Sequence, residues 1–148
     1  MTLLSNSATN ISGKYLLAGT EWASYTPTWG NTGTANSLGN GTITARYRYS
    51  GVHTVEVMIS LVWGSTTTSG SGTWTFTLPV TSGGYHAVGA ALAYDSSATS
   101  NYAANGKYVD TTHIAPVAGS ANNGFTSTAP FTWATSDECA IFYVYESV

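Results

Sequence analysis

Between Thr42 and Tyr49 the order Thr-Ile-Thr-Ala-Arg-Tyr-Arg-Tyr alternates polar and apolar positions without a break, placing Ile43, Ala45, Tyr47 and Tyr49 on one face of a strand. After Ser50-Gly51, the residues Val55, Val57, Ile59, Leu61 and Trp63 alternate with Thr54, Glu56, Met58, Ser60 and Val62, and the short connection predicts a hairpin. Met58 and Val62 are the two apolar positions on its outer face. Residues 73–78 repeat the pattern, with Trp74, Phe76 and Leu78 opposed to three threonines, until Pro79, which has no N–H to donate, stops the ladder.

The second half is less regular. Residues 84–94 are mostly small, with Val88, Leu92 and Tyr94 on one parity and Tyr85, Ala87, Gly89, Ala91 and Ala93 on the other, which predicts close approach by another layer. Residues 95–105 read as a polar loop and 107–117 as a strand. The run Cys139-Ala140-Ile141-Phe142-Tyr143-Val144-Tyr145 is apolar on both faces, as in a strand covered on two sides. A two-layer sandwich covers only one side, so the other would be an apolar patch of the kind that marks an interface. This predicts a homo-oligomer with Ile141, Phe142, Tyr143, Val144 and Tyr145 as candidate contacts; burial beneath a long loop of the same chain is the competing explanation. Eight or so short strands between Gly, Ser and Asn turns predict an all-β antiparallel sandwich, a jelly roll being the most economical form. Residues 1–20 read as an arm or linker and 21–148 as a single domain.

Composition narrows the function. Of 148 residues 43% are hydrophobic and only 7% charged, where roughly a quarter is usual. With 13% aromatic residues and a net charge of -3, the chain can bury a core and is not disordered. Its polarity comes from 24 threonines and 18 serines, which suit strands and turns better than helix surfaces. Four lysines and arginines make no basic stripe, which disfavours nucleic acid and anionic membranes as partners. No run approaches the roughly 18 apolar residues of a membrane span, and the start has neither the charged nor the apolar region of a signal peptide. Cys139 stands alone and reads as a small buried apolar residue.

Candidate chemistry is sparse. Ser69-Gly70-Ser71-Gly72 is a turn-rich loop with no helix after it, unlike a nucleophile elbow. His53, His86 and His113 each sit singly in strand-like runs, and Asp137-Glu138 ends a loop before the last strand. Asp95, Asn101, Tyr102 and Asn105 offer oxygen atoms but follow no known calcium-loop spacing. No catalytic residue, metal or cofactor is expected. A weak saccharide site needs only an aromatic platform beside amides and hydroxyls. On that basis the candidates are Asp95, Asn101, Tyr102, Asn105, Asn122, Asn123 and Trp133.

Tyr25-Thr26-Pro27-Thr28-Trp29, Leu38-Gly39-Asn40-Gly41-Thr42, Arg46-Tyr47-Arg48, Gly64-Ser65-Thr66-Thr67 and the run from Gly70 to Pro79 occur in that order. Together they resemble C-terminal domains of bacteriophage minor tail and tail-fibre proteins, especially of phages of actinobacteria. The resemblance covers about residues 21–80; the remainder is similar only in general character. It implies a homotrimeric jelly-roll head, of the complement-like and tumour-necrosis-factor-like kind, on the distal tail appendage of an extracellular virion. It also implies the rest of the fibre and a bacterial surface carbohydrate as partners, and a chain that is a head excised from a longer fibre. A purely structural trimerising cap and a small depolymerase are the competing functions.

Overall fold

The computed structural model describes residues 21–84, 87–119 and 123–148, together with the backbone of 10–11 and 14–15. Among these residues there is no helix, and so none long and apolar enough to cross a membrane. β1 (Asn10–Ile11) pairs with β2 (Lys14–Tyr15); the rest of the predicted arm, 1–20, lies outside the described residues. Ten further strands form one sheet. They are β3 (Ala23–Tyr25), β4 (Trp29–Asn31), β5 (Thr42–Tyr49), β6 (Thr54–Val62), β7 (Trp74–Thr77), β8 (Val88–Asp95), β9 (Ser100–Asp110), β10 (His113–Ala118), β11 (Asn123–Gly124) and β12 (Glu138–Glu146). Their order is β3-β5-β6-β12-β8-β9-β10-β7-β4, with β11 also beside β10. The protein is all-β and antiparallel, and the sheet curls into a half-barrel around one core.

Two Greek keys generate this order. β8, β9 and β10 are successive neighbours and β12 returns beside β8; β5 and β6 follow the β3–β4 segment and β7 returns beside β4. Each set has the spatial order fourth, first, second, third. The two ends of the sheet are consecutive pieces of one stretch of chain: β3 pairs with β5, and three residues later β4 pairs with β7. The buried Pro27 stands at the switch, where its missing N–H leaves no ladder bond unmade. Both edges are therefore short, which limits edge-to-edge association.

The hairpin predicted around Ser50-Gly51 is β5–β6, in continuous register from Thr42↔Val62 to Tyr49↔Val55. Its inward set Val55, Val57, Ile59, Leu61 and Trp63 is buried, and the inward set of β5 is half-buried beside it. β12 lies between β6 and β8 with Ile59 opposite Ile141. The smallness of β8 is explained by one ring: a Cβ on Gly89 would lie 2.7 Å from Tyr143 Cδ2 and 2.3 Å from the Phe142 carbonyl oxygen, so only glycine fits there. Four of the five tryptophans gather at one end of the core. Trp74 has ring centroids of Trp133 at 4.7 Å, Trp29 at 5.0 Å, Trp63 at 5.7 Å and Phe125 at 6.0 Å. At the other end Tyr143 and Tyr145 donate to the carbonyls of Ala87 and Val80, at 3.1 and 2.7 Å, so each phenol leaves the core through a hydrogen bond. Burial pushes both hydroxyls up from their ordinary pKa.

The polar loop expected at 95–105 is mostly strand. β9 begins at Ser100, and the connection from β8 is a tight turn over 96–99 with Thr99 at φ 52°. Asn, Ala, Gly and Lys are poor strand formers, but pairing to β8 on one side and β10 on the other overrides that preference.

Much of the neutral polarity is consumed between loops. Asn40 Oδ1 accepts from the Thr66 N–H at 2.9 Å, and its Nδ2 donates to Ser65 Oγ at 3.0 Å. Asn36 Oδ1 accepts from the Gly70 N–H at 3.0 Å and from Asn31, while its Nδ2 donates to the Gly30 carbonyl at 3.1 Å. Gly39, at φ 54°, brings its backbone against Thr66, where a Cβ would lie 2.4 Å from the carbonyl oxygen. The motifs 38–42, 64–67 and 70–79 thus meet at one end of the sheet as scaffold.

The β9–β10 turn carries an acid-sensitive cap. Asp110 accepts from the Thr112 N–H at 2.7 Å and contacts His113 Nδ1 at 3.0 Å. Desolvation acts to raise its pKa but is outweighed by the Thr112 backbone bond, the His113 and Thr112 side-chain bonds and the His113 charge, which hold it at about 2. Because the folded value lies below the ordinary 3.8, this stabilisation is present above pH 3.8 and is lost as pH falls towards 2. With the Asp110 side chain 52% exposed, solvent screening keeps the contribution under about 1 kcal/mol. Asp110→Asn should flatten the dependence of unfolding free energy on pH in that window, as followed by urea titration; an unchanged slope would assign the acid limb to other carboxylates.

Candidate functional site

Of the seven residues expected to bind a saccharide, the six that are described do not converge. Asp95 caps the 96–99 turn, its Oδ1 accepting from Ser97 Oγ at 2.7 Å and the Ala98 N–H at 3.0 Å, and the Ser97 bond followed by the Ala98 bond lowers its pKa. Asn101 and Asn105 are exposed on the outer face of β9, opposite Tyr94 and Ala90. Tyr102 has the opposite parity and is half-buried, its ring 4.9 Å from that of Phe131. Strand periodicity thus divides a set that a loop would have kept together. Asn123 is exposed on β11, beyond β9 and β10, and Asn122 lies outside the described residues. Trp133 is a core residue, not a platform: it is 7% exposed, and its Nε1 donates to the Ala129 carbonyl at 3.2 Å.

The candidate contacts of the last strand divide in the same way. Ile141, Tyr143 and Tyr145 are 3%, 0% and 3% exposed within their own chain and have no surface to offer another copy. Phe142 is 38% exposed and Val144 half-buried, both on the outer face. β12 is therefore covered on one side by this chain and open on the other.

That open side holds a concavity, a groove of about 620 Å³ across the outer faces of β3, β5, β6, β12 and β8. Strand register builds it from two rows. Ser24, Arg46, Met58, Phe142 and Ala90 are successive cross-strand neighbours, and Thr44, Ser60, Ala140 and Leu92 form the next row. Small side chains at Thr44, Ser60 and Ala140 leave a depression beside the taller Met58 and Phe142. Its lining offers aliphatic and aromatic carbon, hydroxyls and one guanidinium. Asn105 lies next to Ala90 on β9, and Asn101 opposite Tyr94, so amides stand along the β8–β9 side.

The β3–β5 end is electrostatically distinct. Trp22, the one tryptophan outside the core cluster, faces both Arg46 and Arg48, with guanidinium carbons 5.0 and 4.7 Å from its ring centroids. Arg48 Nε donates to Glu56 at 2.7 Å and is neutralised there. Arg46 reaches Met58 Sδ at 3.4 Å and makes no ion pair among the described residues. Elsewhere, His113 meets Asp110 in the turn described above, Cys139 is buried with its thiol pKa pushed up by desolvation, and no group of three or more His, Cys, Asp or Glu that could hold a metal ion occurs among the described residues. Sequence reasoning missed Arg46, Thr44, Ser60 and Leu92 as groove residues. The outward apolar positions Met58 and Phe142 were the available signal.

The fold and the groove define an antiparallel β protein with an open, weakly polar concavity on one sheet face. Compared with protein-family models, curated protein sequences and solved structures, the chain matches none.

Proposed function

We propose that the chain is the receptor-binding head of a bacteriophage tail fibre or minor tail protein, acting without catalysis as a homotrimer on the distal tail appendage and recognising a saccharide of the bacterial surface. The observation that carries this reading is the groove: sugars present apolar C–H faces beside many hydroxyls, and an apolar floor with Ser24, Thr44 and Ser60 in its lining is complementary to both. The two Greek keys are what a jelly roll requires, which supports that finer form of the fold. The resemblance over residues 21–80 supplies the phage context; its motifs at 38–42, 64–67 and 70–79 fall in scaffold, whereas Arg46 of the motif Arg46-Tyr47-Arg48 lines the groove on the outer sheet face. Three weak copies on one head gain affinity by multivalency, so a shallow site suffices.

Ala140 is exposed at the groove floor, and Ala140→Trp should fill it without disturbing the core. The variant is expected to bind host cells at least about tenfold more weakly at an unchanged melting temperature. Undiminished adsorption would place recognition elsewhere. Tyr102→Ala is a poor test, because that ring packs on Phe131.

One observation favours a second reading: Leu92 and Phe142, 42% and 38% exposed, adjoin in one outward apolar strip. Packed against a neighbouring copy, the strip would make the chain a trimerising cap that recognises nothing. The readings compete for Phe142. Under the cap reading Phe142→Ser dissociates the oligomer by mass measurement; under the receptor reading it weakens cell binding at constant mass.

A further inference from the structure

We infer that the saccharide taken by the groove is acidic, with a carboxylate or phosphate group received by Arg46. This rests on the reading of the groove as a saccharide site. The chain has four lysines and arginines in all, and two of them, Arg46 and Arg48, stand side by side at one end of the groove. Only one is matched internally, Arg48 by Glu56. Arg46 lines the groove, lacks an ion pair among the described residues, and has its guanidinium placed by Trp22 and Met58. With its guanidinium carbon 5.0 Å from the Trp22 ring centroid and Nη2 3.4 Å from Met58 Sδ, the Arg46 side chain is already held by two neighbours, so less rotamer entropy is lost when an anion binds it. The groove lining contains no carboxylate to compete for that position. Glu138 points outward one row beyond the floor, opposite Val62 and Tyr94. A bound anion is therefore drawn towards Arg46 on β5 and kept away from Glu138 on the central strand β12. In a protein of net charge -3, a spare cation held in an apolar groove is a specificity element rather than part of a general basic surface.

The test titrates the full chain with polygalacturonate, poly(glycerol phosphate) and dextran, using wild type, Arg46→Gln, Arg46→Lys and Ala140→Trp. Wild type should bind one of the two acidic polymers at least about tenfold more tightly than dextran, and which one separates a carboxylate from a phosphate. Arg46→Gln should lower binding of that polymer to the level seen with dextran; Arg46→Lys should restore part of the difference, as a point charge without the two-pronged geometry. Dextran bound as tightly as the acidic polymers, or a preference that survives Arg46→Gln, overturns the inference about charge. If Ala140→Trp still weakens binding in that case, the groove stands as a saccharide site and only its charge selectivity is wrong. Absence of binding to all three polymers and to host cells overturns both.

Discussion

Trp74→Ala is expected to destabilise the protein by about 3–5 kcal/mol, a large part of the 5–15 kcal/mol typical of a domain. The side chain is completely buried and is surrounded by the rings of Trp29, Trp63, Trp133 and Phe125. These rings come from β4, the start of the loop between β6 and β7, and the connection between β11 and β12. Truncation loses the transfer free energy of an indole and opens a cavity that rigid neighbours cannot collapse into. It also leaves Ser69 Oγ without the Trp74 Nε1 donor now 2.7 Å away. Trp74→Phe, which keeps a ring but not the donor, should fall between wild type and alanine. Urea unfolding measures the series, and a midpoint for Trp74→Ala within error of wild type would show that the cluster is not the centre of the core.

Asp137→Ala should cost about 3 kcal/mol through hydrogen bonding alone. Asp137 is 1% exposed, and its carboxylate accepts from the Ser96 N–H at 2.9 Å, Ser96 Oγ at 3.0 Å and the Ala134 N–H at 2.6 Å. Its own carbonyl receives the Trp63 N–H at 2.8 Å. One side chain thus fastens the turn after β8 to the start of β12, where no other acceptor is close enough to replace it among the bonds described. Removing it leaves the Ser96 and Ala134 N–H groups without their acceptor in a part-buried site, a penalty of about 1–3 kcal/mol for the pair, to which the lost charge-assisted bonds add. A double-mutant cycle checks the assignment. Ser96→Ala should destabilise the wild type and do almost nothing in the Asp137→Ala background, whereas additive losses would mean that the two residues act separately.

The hairpin β5–β6 was legible because both strands alternate strictly and the turn lies between them, so local pattern and pairing agree. β9 was not. Asn101, Ala103, Asn105 and Lys107 do alternate with Tyr102, Ala104, Gly106 and Tyr108, but residues of low strand preference mask the period, and only pairing on both sides makes the segment a strand. Misreading it as a loop produced a saccharide site whose members in fact point to opposite faces. Trp133 was misplaced for a related reason: nothing local distinguishes an aromatic residue in a loop that folds back into the core from one that faces solvent. The last strand is apolar on both faces, as the sequence shows, but within this chain only the face of Ile141, Tyr143 and Tyr145 is covered, and the other lines the groove.

Composition and alternation by themselves determined that this chain is all-β, which faces of β5, β6 and β7 turn inward, and that charge plays a small part in its surface. Those properties depend on neighbours along the chain, and a period of two is enough to encode them. Which strands lie side by side was decided only by the tertiary structure. The rows that make the groove join residues as distant as Ser24, Arg46, Met58 and Phe142, and their alignment follows from long-range hydrogen-bond register, in which a slip of one residue would turn a whole strand face inward. The low charge that disfavoured nucleic acid and anionic membranes as partners acquires a place in the same register: loop amides such as Asn36 and Asn40 are bound by neighbouring loops, and one arginine is left facing the groove.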